Sequence, residues 1–149
     1  PGSLVGSEMC IRDRYWPVYF NTLKNLMKTG AKSTLQIITV ADELFPKYRK
    51  NVDFIQKYIF PGGMLPSKKV LEKQFLQVGL KKVNLKSFGS SYSKTLRLWH
   101  TSFNSVWDDI SSVKFDDRFK RMWNFYLASC AAVFHSKTGD VIQVTLKKS

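Results

Sequence analysis

The sequence predicts an α/β fold of about three strands with several helices. Three observations carry that expectation. Residues 35–40, Leu-Gln-Ile-Ile-Thr-Val, form a short β-branched run of the kind found in buried strands. Long stretches on either side place apolar residues at steps of three and four, the spacing of amphipathic helices. The chain closes on residues 141–146, which alternate in part like a strand.

The first fourteen residues stand apart. The string Ser-Leu-Val-Gly-Ser-Glu-Met-Cys-Ile-Arg-Asp-Arg lacks periodicity and lacks the apolar core of a signal peptide. It resembles translated sequencing-adapter or cloning sequence, so residues 1–14 are expected to be a disordered artefact, and Cys10 is set aside with them. Trp16-Pro17 then reads as a helix start, because proline fits a first turn. Val18, Phe20, Leu23, Leu26 and Met27 give that helix its apolar spacing, and Gly30 is the expected stop. The run 35–40 is expected to be buried on both faces with a neighbour on each edge, as in a parallel sheet.

Residues 41–50 are polar around Pro46 and read as a loop, followed by a short helix over 52–59. Phe60-Pro61-Gly62-Gly63-Met64-Leu65-Pro66 brackets two glycines with prolines and reads as a shaped turn. Ser67 is the expected cap of a helix carrying Val70, Leu71, Phe75 and Val78, ended by Gly79. Leu80, Val83, Leu85 and Phe88 suggest a second strand with imperfect alternation. Residues 91–113 read as one long helix through Leu96, Trp99, Phe103, Val106, Trp107 and Ile110. Asp116 is a plausible cap for another, faced by Phe119, Met122, Trp123, Tyr126, Leu127, Cys130, Ala131 and Phe134. A turn at Thr138-Gly139-Asp140 leads into the last strand.

Composition narrows the function classes. The 149 residues carry 24 Lys and Arg against 11 Asp and Glu, a formal charge of +13. Such an excess favours a polyanionic partner, either nucleic acid or an anionic lipid surface. Aromatic residues make up 14% of the chain, too many for a disordered polyelectrolyte. No apolar run reaches the roughly 20 residues of a membrane span. Two cysteines are too few for a disulfide scaffold or a zinc module. His100 and His135 have no metal-ligand partners at a usable spacing, and there is no G-x-G-x-x-G, P-loop or nucleophile elbow. The adjacent carboxylate pairs Asp42-Glu43, Asp108-Asp109 and Asp116-Asp117 point in different directions and suit caps or solvated charge. Tyr92, where the second strand gives way to a helix, lies where α/β sheets collect ligands. Cys130, with no basic neighbour at i±4, suits a buried inert thiol. The basic residues are dispersed and match no nucleic-acid-binding signature.

Three ordered strings carry a family resemblance. They are Lys57-Tyr58-Ile59-Phe60-Pro61-Gly62-Gly63-Met64-Leu65-Pro66-Ser67, then Phe88-Gly89-x-x-Tyr92-x-x-Thr95-Leu96-x-x-Trp99, then Arg118-Phe119-x-Arg121-Met122-Trp123-x-x-Tyr126-Leu127-x-x-Cys130. Together they resemble the cyclopropane-fatty-acyl-phospholipid synthases, the mycolic acid cyclopropane synthase family of methyltransferases dependent on S-adenosylmethionine. The resemblance covers residues 16–147. It implies the C-terminal part of a class I, Rossmann-like methyltransferase, with residues 15–149 belonging to that domain. A helical insertion over about 91–136 would cover the acyl pocket.

The implied activity is transfer of a methylene from S-adenosylmethionine to a cis double bond of a phospholipid acyl chain. The resemblance implies Tyr92 as the catalytic residue that holds a bicarbonate ion, with Val40 as a backbone contact to it. Phe60, Gly62, Gly63, Trp99 and Trp123 would touch substrate. Ile38 stands where many relatives carry a histidine. The glycine-rich turn and acidic residues of the cofactor site are not among these residues, so the chain reads as a fragment that is inactive alone. The implied partners are unsaturated acyl chains and an anionic phospholipid surface, with no nucleic acid and with oligomerisation open. The implied place is the cytoplasmic face of the inner membrane. Two other readings remain at this stage: a sister enzyme making methyl-branched acyl chains, and a non-enzymatic basic module binding lipid or nucleic acid.

Overall fold

A computed structural model describes residues 13–111 and 115–149. It divides into two compact units, one made of the chain up to Ser87 plus Asp140–Ser149, the other of Phe88–Gly139.

The first unit holds the sheet. A 3-10 turn at Asp13–Tyr15 leads into α1 (Trp16–Leu26), then β1 (Lys32–Val40), α2 (Phe45–Lys50), α3 (Phe54–Tyr58), α4 (Lys68–Gln77), β2 (Leu80–Ser87) and, after the second unit, β3 (Gly139–Lys148). The strand order is β1-β3-β2, so the last strand of the chain is the middle strand of the sheet. β2 pairs antiparallel with β3, from Leu80 opposite Lys148 to Ser87 opposite Ile142. β1 joins the other edge of β3 in the same antiparallel sense, with Thr34 bonded to Thr145 and Gln36 to Gln143 across the strands. On the opposite face Ile142, Val144 and Leu146 pack with Trp16 and Phe20 of α1 and Leu71 and Phe75 of α4. Each such aliphatic side chain removed from water contributes about 1.5–3 kcal/mol.

Several expectations are corrected here. β1 is a half-exposed strand in which Thr39 alone is buried, and among the described residues it has a neighbour on one edge only. Its apolar run reflects one packed face, Leu35 and Ile37, interleaved with Gln36 and Ile38. Residues 45–50, expected as loop, form α2, because Pro46 sits in the first turn, where its missing N–H costs nothing. The expected helix over 91–113 breaks at Val106 into α5 (Gly89–Ser105) and α6 (Trp107–Ser111). Ser105 and Val106 are weak helix formers, and the Ser105 hydroxyl donates back to the Ser102 carbonyl. Val113 lies outside the described residues. Phe88 ends β2 at the cap position of α5. The irregular alternation of β2 has a cause, a register shift between Lys82 and Asn84 that turns Val83 outward. α1 stops at Leu26, before Gly30, whose positive φ serves the turn into β1. Of the leader, Asp13 and Arg14 are described, and the Asp13 carboxylate accepts from Arg49 at 2.6 Å. Residues 1–12, including Cys10, lie outside the described set.

The proline-glycine turn is held on both sides. Asp53 caps α3 through a reciprocal pair with Gln56. The Gln56 side chain, 8% exposed, then donates to the Gly63 carbonyl at 3.0 Å. Gly62 takes φ +83, which suits a residue without Cβ. The Leu65 N–H donates to the Tyr48 hydroxyl, and the Val40 N–H donates to the Pro66 carbonyl at 3.0 Å. Burial pushes the Tyr48 phenol upward in pKa, so it stays neutral. Ser67, bridged to Val40, caps α4 by accepting from the Val70 N–H. Asp42 accepts from the Lys69 N–H at 2.9 Å. Burial alone would raise the Asp42 pKa, but the Ser67 hydroxyl, the Lys69 N–H and the Lys69 and Lys68 ammonium groups outweigh it and hold it below the ordinary carboxylate range.

Two outcomes follow. Asp42 has its pKa lowered by folding, so its contribution is present above the unfolded value and is lost as pH falls through the folded one. Asp42→Asn is expected to cost about 0.5–1 kcal/mol at pH 7. Urea titrations of both proteins from pH 7 down to pH 3 should show the gap closing below about pH 4. Gln56→Leu leaves a buried carbonyl without its donor and should cost about 1–3 kcal/mol. Gln56→Glu, which keeps an acceptor but no amide donor, should not restore the loss in the same titration at pH 7.

Candidate functional site

The second unit is a helical hairpin. α5 runs against α7 (Asp117–His135). The Ser93 hydroxyl donates to the Ala131 carbonyl at 2.9 Å in the buried seam. At the far end of α5, Asn104 exchanges amide bonds with Asn124 of α7 at 2.6 and 3.1 Å. These pairs make the helices antiparallel and face Leu96 and Leu127 inward. Asp116 caps α7 by accepting from the Phe119 N–H at 2.8 Å.

The aromatic side chains of the hairpin form two sets of ring contacts, with the Tyr126 and Tyr92 phenols as electrostatic neighbours. The Tyr92 ring meets Phe134 edge-on at 5.3 Å and Trp99 at 6.2 Å. Trp123 stacks on Phe119 at 5.7 Å, meets Tyr126 at 5.0 Å and approaches Phe103 at 6.5 Å. The Lys120 ammonium lies over the Trp107 ring at 5.1 Å, so this surface already accommodates a cation. Burial, with Cys130 and Tyr92 as neighbours, pushes the Tyr126 phenol up to about 12. Tyr126 therefore remains a neutral hydroxyl within an otherwise apolar wall.

Among the predicted site residues, Tyr92 and Trp99 are in contact, and Trp123 belongs to the same wall through Tyr126. Trp99 is 49% exposed and Trp107 buried, so the tryptophans divide between surface and core. Cys130 is half-buried rather than buried. Tyr126 and Phe134 complete the surroundings of Tyr92. Their signal was the i+4 spacing about Cys130, read only as a packing stripe. Val40, Phe60, Gly62 and Gly63 lie in the first unit, gathered at the carboxyl end of β1. Gln56 and Tyr48, which hold that turn, carry no sequence signal beyond the Asp53-x-x-Gln56 spacing.

The described residues do not form a cradle for S-adenosylmethionine. β1 runs into Ala41-Asp42 without a glycine, and β2 into Phe88-Gly89-Ser90 with one. Asp42, the carboxylate just past β1, is committed to the start of α4. An anion at Val40 would find its N–H already donated to Pro66, with Ile38 offering nothing polar. No group of three His, Cys, Asp or Glu among the described residues is placed to hold a metal. No described helix is long and apolar enough to cross a membrane.

Comparison with known proteins adds to this geometry. The family model for mycolic acid cyclopropane synthetase matches residues 4–144, running into the leader. Tuberculostearic acid methyltransferase UfaA1 of Mycobacterium tuberculosis is 39% identical over 97% of this chain and 34% of its own length. The cyclopropane-fatty-acyl-phospholipid synthase of Escherichia coli K12 is 35% identical over 66% of this chain and 25% of its own. The chain thus spans about a third or less of these relatives. In fold it resembles mycolic acid cyclopropane synthase CmaA1, solved with SAH and CTAB, with a TM-score of 0.85 over 97% of this chain and 53% of that one at 24% identity. The synthase MmaA2 from Mycobacterium tuberculosis superposes with a TM-score of 0.84 at 21% identity. The match of the family model over nearly the whole chain makes this protein a member of the mycolic acid cyclopropane synthetase family.

Proposed function

We propose that the chain is part of a methyltransferase acting on unsaturated phospholipid acyl chains, with S-adenosylmethionine as methyl donor. The nucleoside site belongs, on this reading, to the portion of the relatives that the chain does not cover, and these 149 residues alone should be inactive. The single observation that carries the proposal is the aromatic wall about Tyr92, built from two of the three family strings. When bound, S-adenosylmethionine supplies an electrophilic methyl group. Methyl addition to a double bond leaves a carbocation on the acyl chain, and loss of a proton from the added methyl closes a cyclopropane ring. The ring faces of Trp99 and Trp123 suit that cation by their quadrupoles. They also suit the apolar chain that carries it. The Tyr92 phenol is a hydrogen-bond donor of the wall and would orient the group that takes the proton, as a positioned donor does in general acid–base catalysis. A bicarbonate ion in that role is not supported by Val40 or Ile38, so no proton is routed through one here. The expected place of action is the cytoplasmic surface of the inner membrane.

A second reading has its own support. The tuberculostearic acid methyltransferase aligns over more of the chain, and at higher identity, than the cyclopropane synthase. A methyl-branched product arises from the same carbocation by loss of a different proton. A ring and a branched alkene have the same mass, so only spectroscopy separates them.

The test is expression of the full-length parent followed by lipid analysis. Acyl chains heavier by one CH2 are expected, with cyclopropyl protons in the NMR spectrum. Methyl-branched alkene signals would select the second reading, and unchanged lipids would refute both. Tyr92→Phe in that parent should lower turnover by roughly 10²-fold with little change in KM. Unchanged turnover would remove Tyr92 from the mechanism.

A further inference from the structure

The hairpin has a second face that the acyl-chain reading does not use. Residues 92 and 99 of α5 and 119, 123, 126 and 134 of α7 share the aromatic flank. At 100° per residue, positions 94, 97 and 98 of α5 and 118, 121 and 125 of α7 fall on the flank away from it. These are Lys94, Arg97, Leu98, Arg118, Arg121 and Phe125, and all six are exposed. Leu98 is 68% and Phe125 56% accessible.

The charge on this face is mainly positive, with Asp117, next to Arg118 and one turn before Arg121, as the carboxylate that the same spacing places on it. Every carboxylate of the unit, Asp108, Asp109, Asp116 and Asp117, lies between 108 and 117, at the end where the chain turns back. After Asp117 the charged residues of α7 are Arg118, Lys120 and Arg121, and those of α5 are Lys94 and Arg97. No ion pair joins Lys94, Arg97, Arg118 or Arg121 to any described residue. Elsewhere the pattern differs: Lys68 is bound to Asp140, Lys82 to Glu72 and Arg49 to Asp13.

We propose that this outer face of the α5–α7 hairpin is the surface by which the protein docks on an anionic phospholipid membrane. The inference rests on the lipid reading above and deepens it by naming the contact. Charge complementarity selects the occupant. Unpaired cations meet phosphate head groups, each adding to adsorption near an anionic surface, while Leu98 and Phe125 reach the acyl boundary. Short Ala128 and Ala132 between the two cationic ends let the helix axis approach the head-group layer closely. A second protein copy would set four cations against the same four with Asp117 as the lone counter-charge, which opposes self-association. Duplex DNA would satisfy the cations but would leave Leu98 and Phe125 exposed.

The test uses the full chain and sedimentation with vesicles of equal phosphatidylglycerol and phosphatidylcholine, with pure phosphatidylcholine vesicles alongside. Binding to the anionic vesicles, weakened by 0.5 M salt, is expected. Arg97→Glu with Arg121→Glu should weaken it at least tenfold, and Leu98→Ser with Phe125→Ser several-fold. Lys47→Glu with Lys50→Glu on α2, the same change in net charge, should weaken it less than threefold. Circular dichroism should be unchanged in all three, since each site is exposed. The neutral pair Arg97→Gln with Arg121→Gln should reproduce a smaller loss if the reversed charges perturb the helices. Equal losses from the hairpin and α2 pairs would overturn the proposal. So would absence of vesicle binding, or tight binding of a 20-base-pair DNA duplex in its place. Vesicle binding that ignores the hairpin variants would overturn the surface and leave the lipid reading intact. Hairpin-dependent binding with no new acyl species in the parent would instead refute the enzymatic reading alone.

Discussion

The sheet depends on one placement, the insertion of the last strand between the other two. β3 carries Val141, Ile142, Val144 and Leu146, all buried, and both β1 and β2 owe their pairing among the described residues to it. Without β3 neither remaining strand has a partner, and the apolar faces of α1 and α4 have no sheet to cover. The first unit is thus closed only when the end of the chain returns, after an excursion of some fifty residues through the hairpin. Such non-local pairing is slow to form, because the loop entropy is lost before the contacts are made.

Around that sheet the polar bonds concentrate where β1 ends. Val40, Pro66, Ser67, Asp42 and Lys69 form one knot, and Gln56 and Tyr48 brace the turn that feeds it. The backbone there is irregular and partly buried, so its carbonyl and N–H groups need partners. This explains why a turn rich in proline and glycine keeps a defined shape. The hairpin solves a different problem. Its seam uses small and amide residues, Ser93 with Ala131 and Asn104 with Asn124, which sets helix register and leaves the bulky rings for the flank. Each unit is therefore braced by itself, the one around the glycine turn and the other around the Tyr92 wall.

Some elements were legible in one dimension. The caps at Ser67 and Asp116 follow from residue type and position. The strand at the end of the chain and the two long helices follow from periodicity, and Tyr92 and the turn at 60–66 from motif strings. Other elements were not. The short helix at 45–50 has too few residues for periodicity to register, and its proline reads as a breaker unless its place in the first turn is known. The break at Val106 falls within a stripe whose apolar spacing continues unbroken. The exposure of Leu98 and Phe125 was invisible for the same reason, since an apolar residue on a helix looks alike whether or not something covers it.

By itself the sequence determined the class of fold and the family, and it singled out Tyr92, Trp99 and Trp123, because those depend on local periodicity and on strings of identity. It did not determine which strand lies in the middle of the sheet, how far β1 is buried, or which cations go unpaired. Those were decided by tertiary structure, since strand order, burial and ion pairing depend on residues brought together from distant parts of the chain.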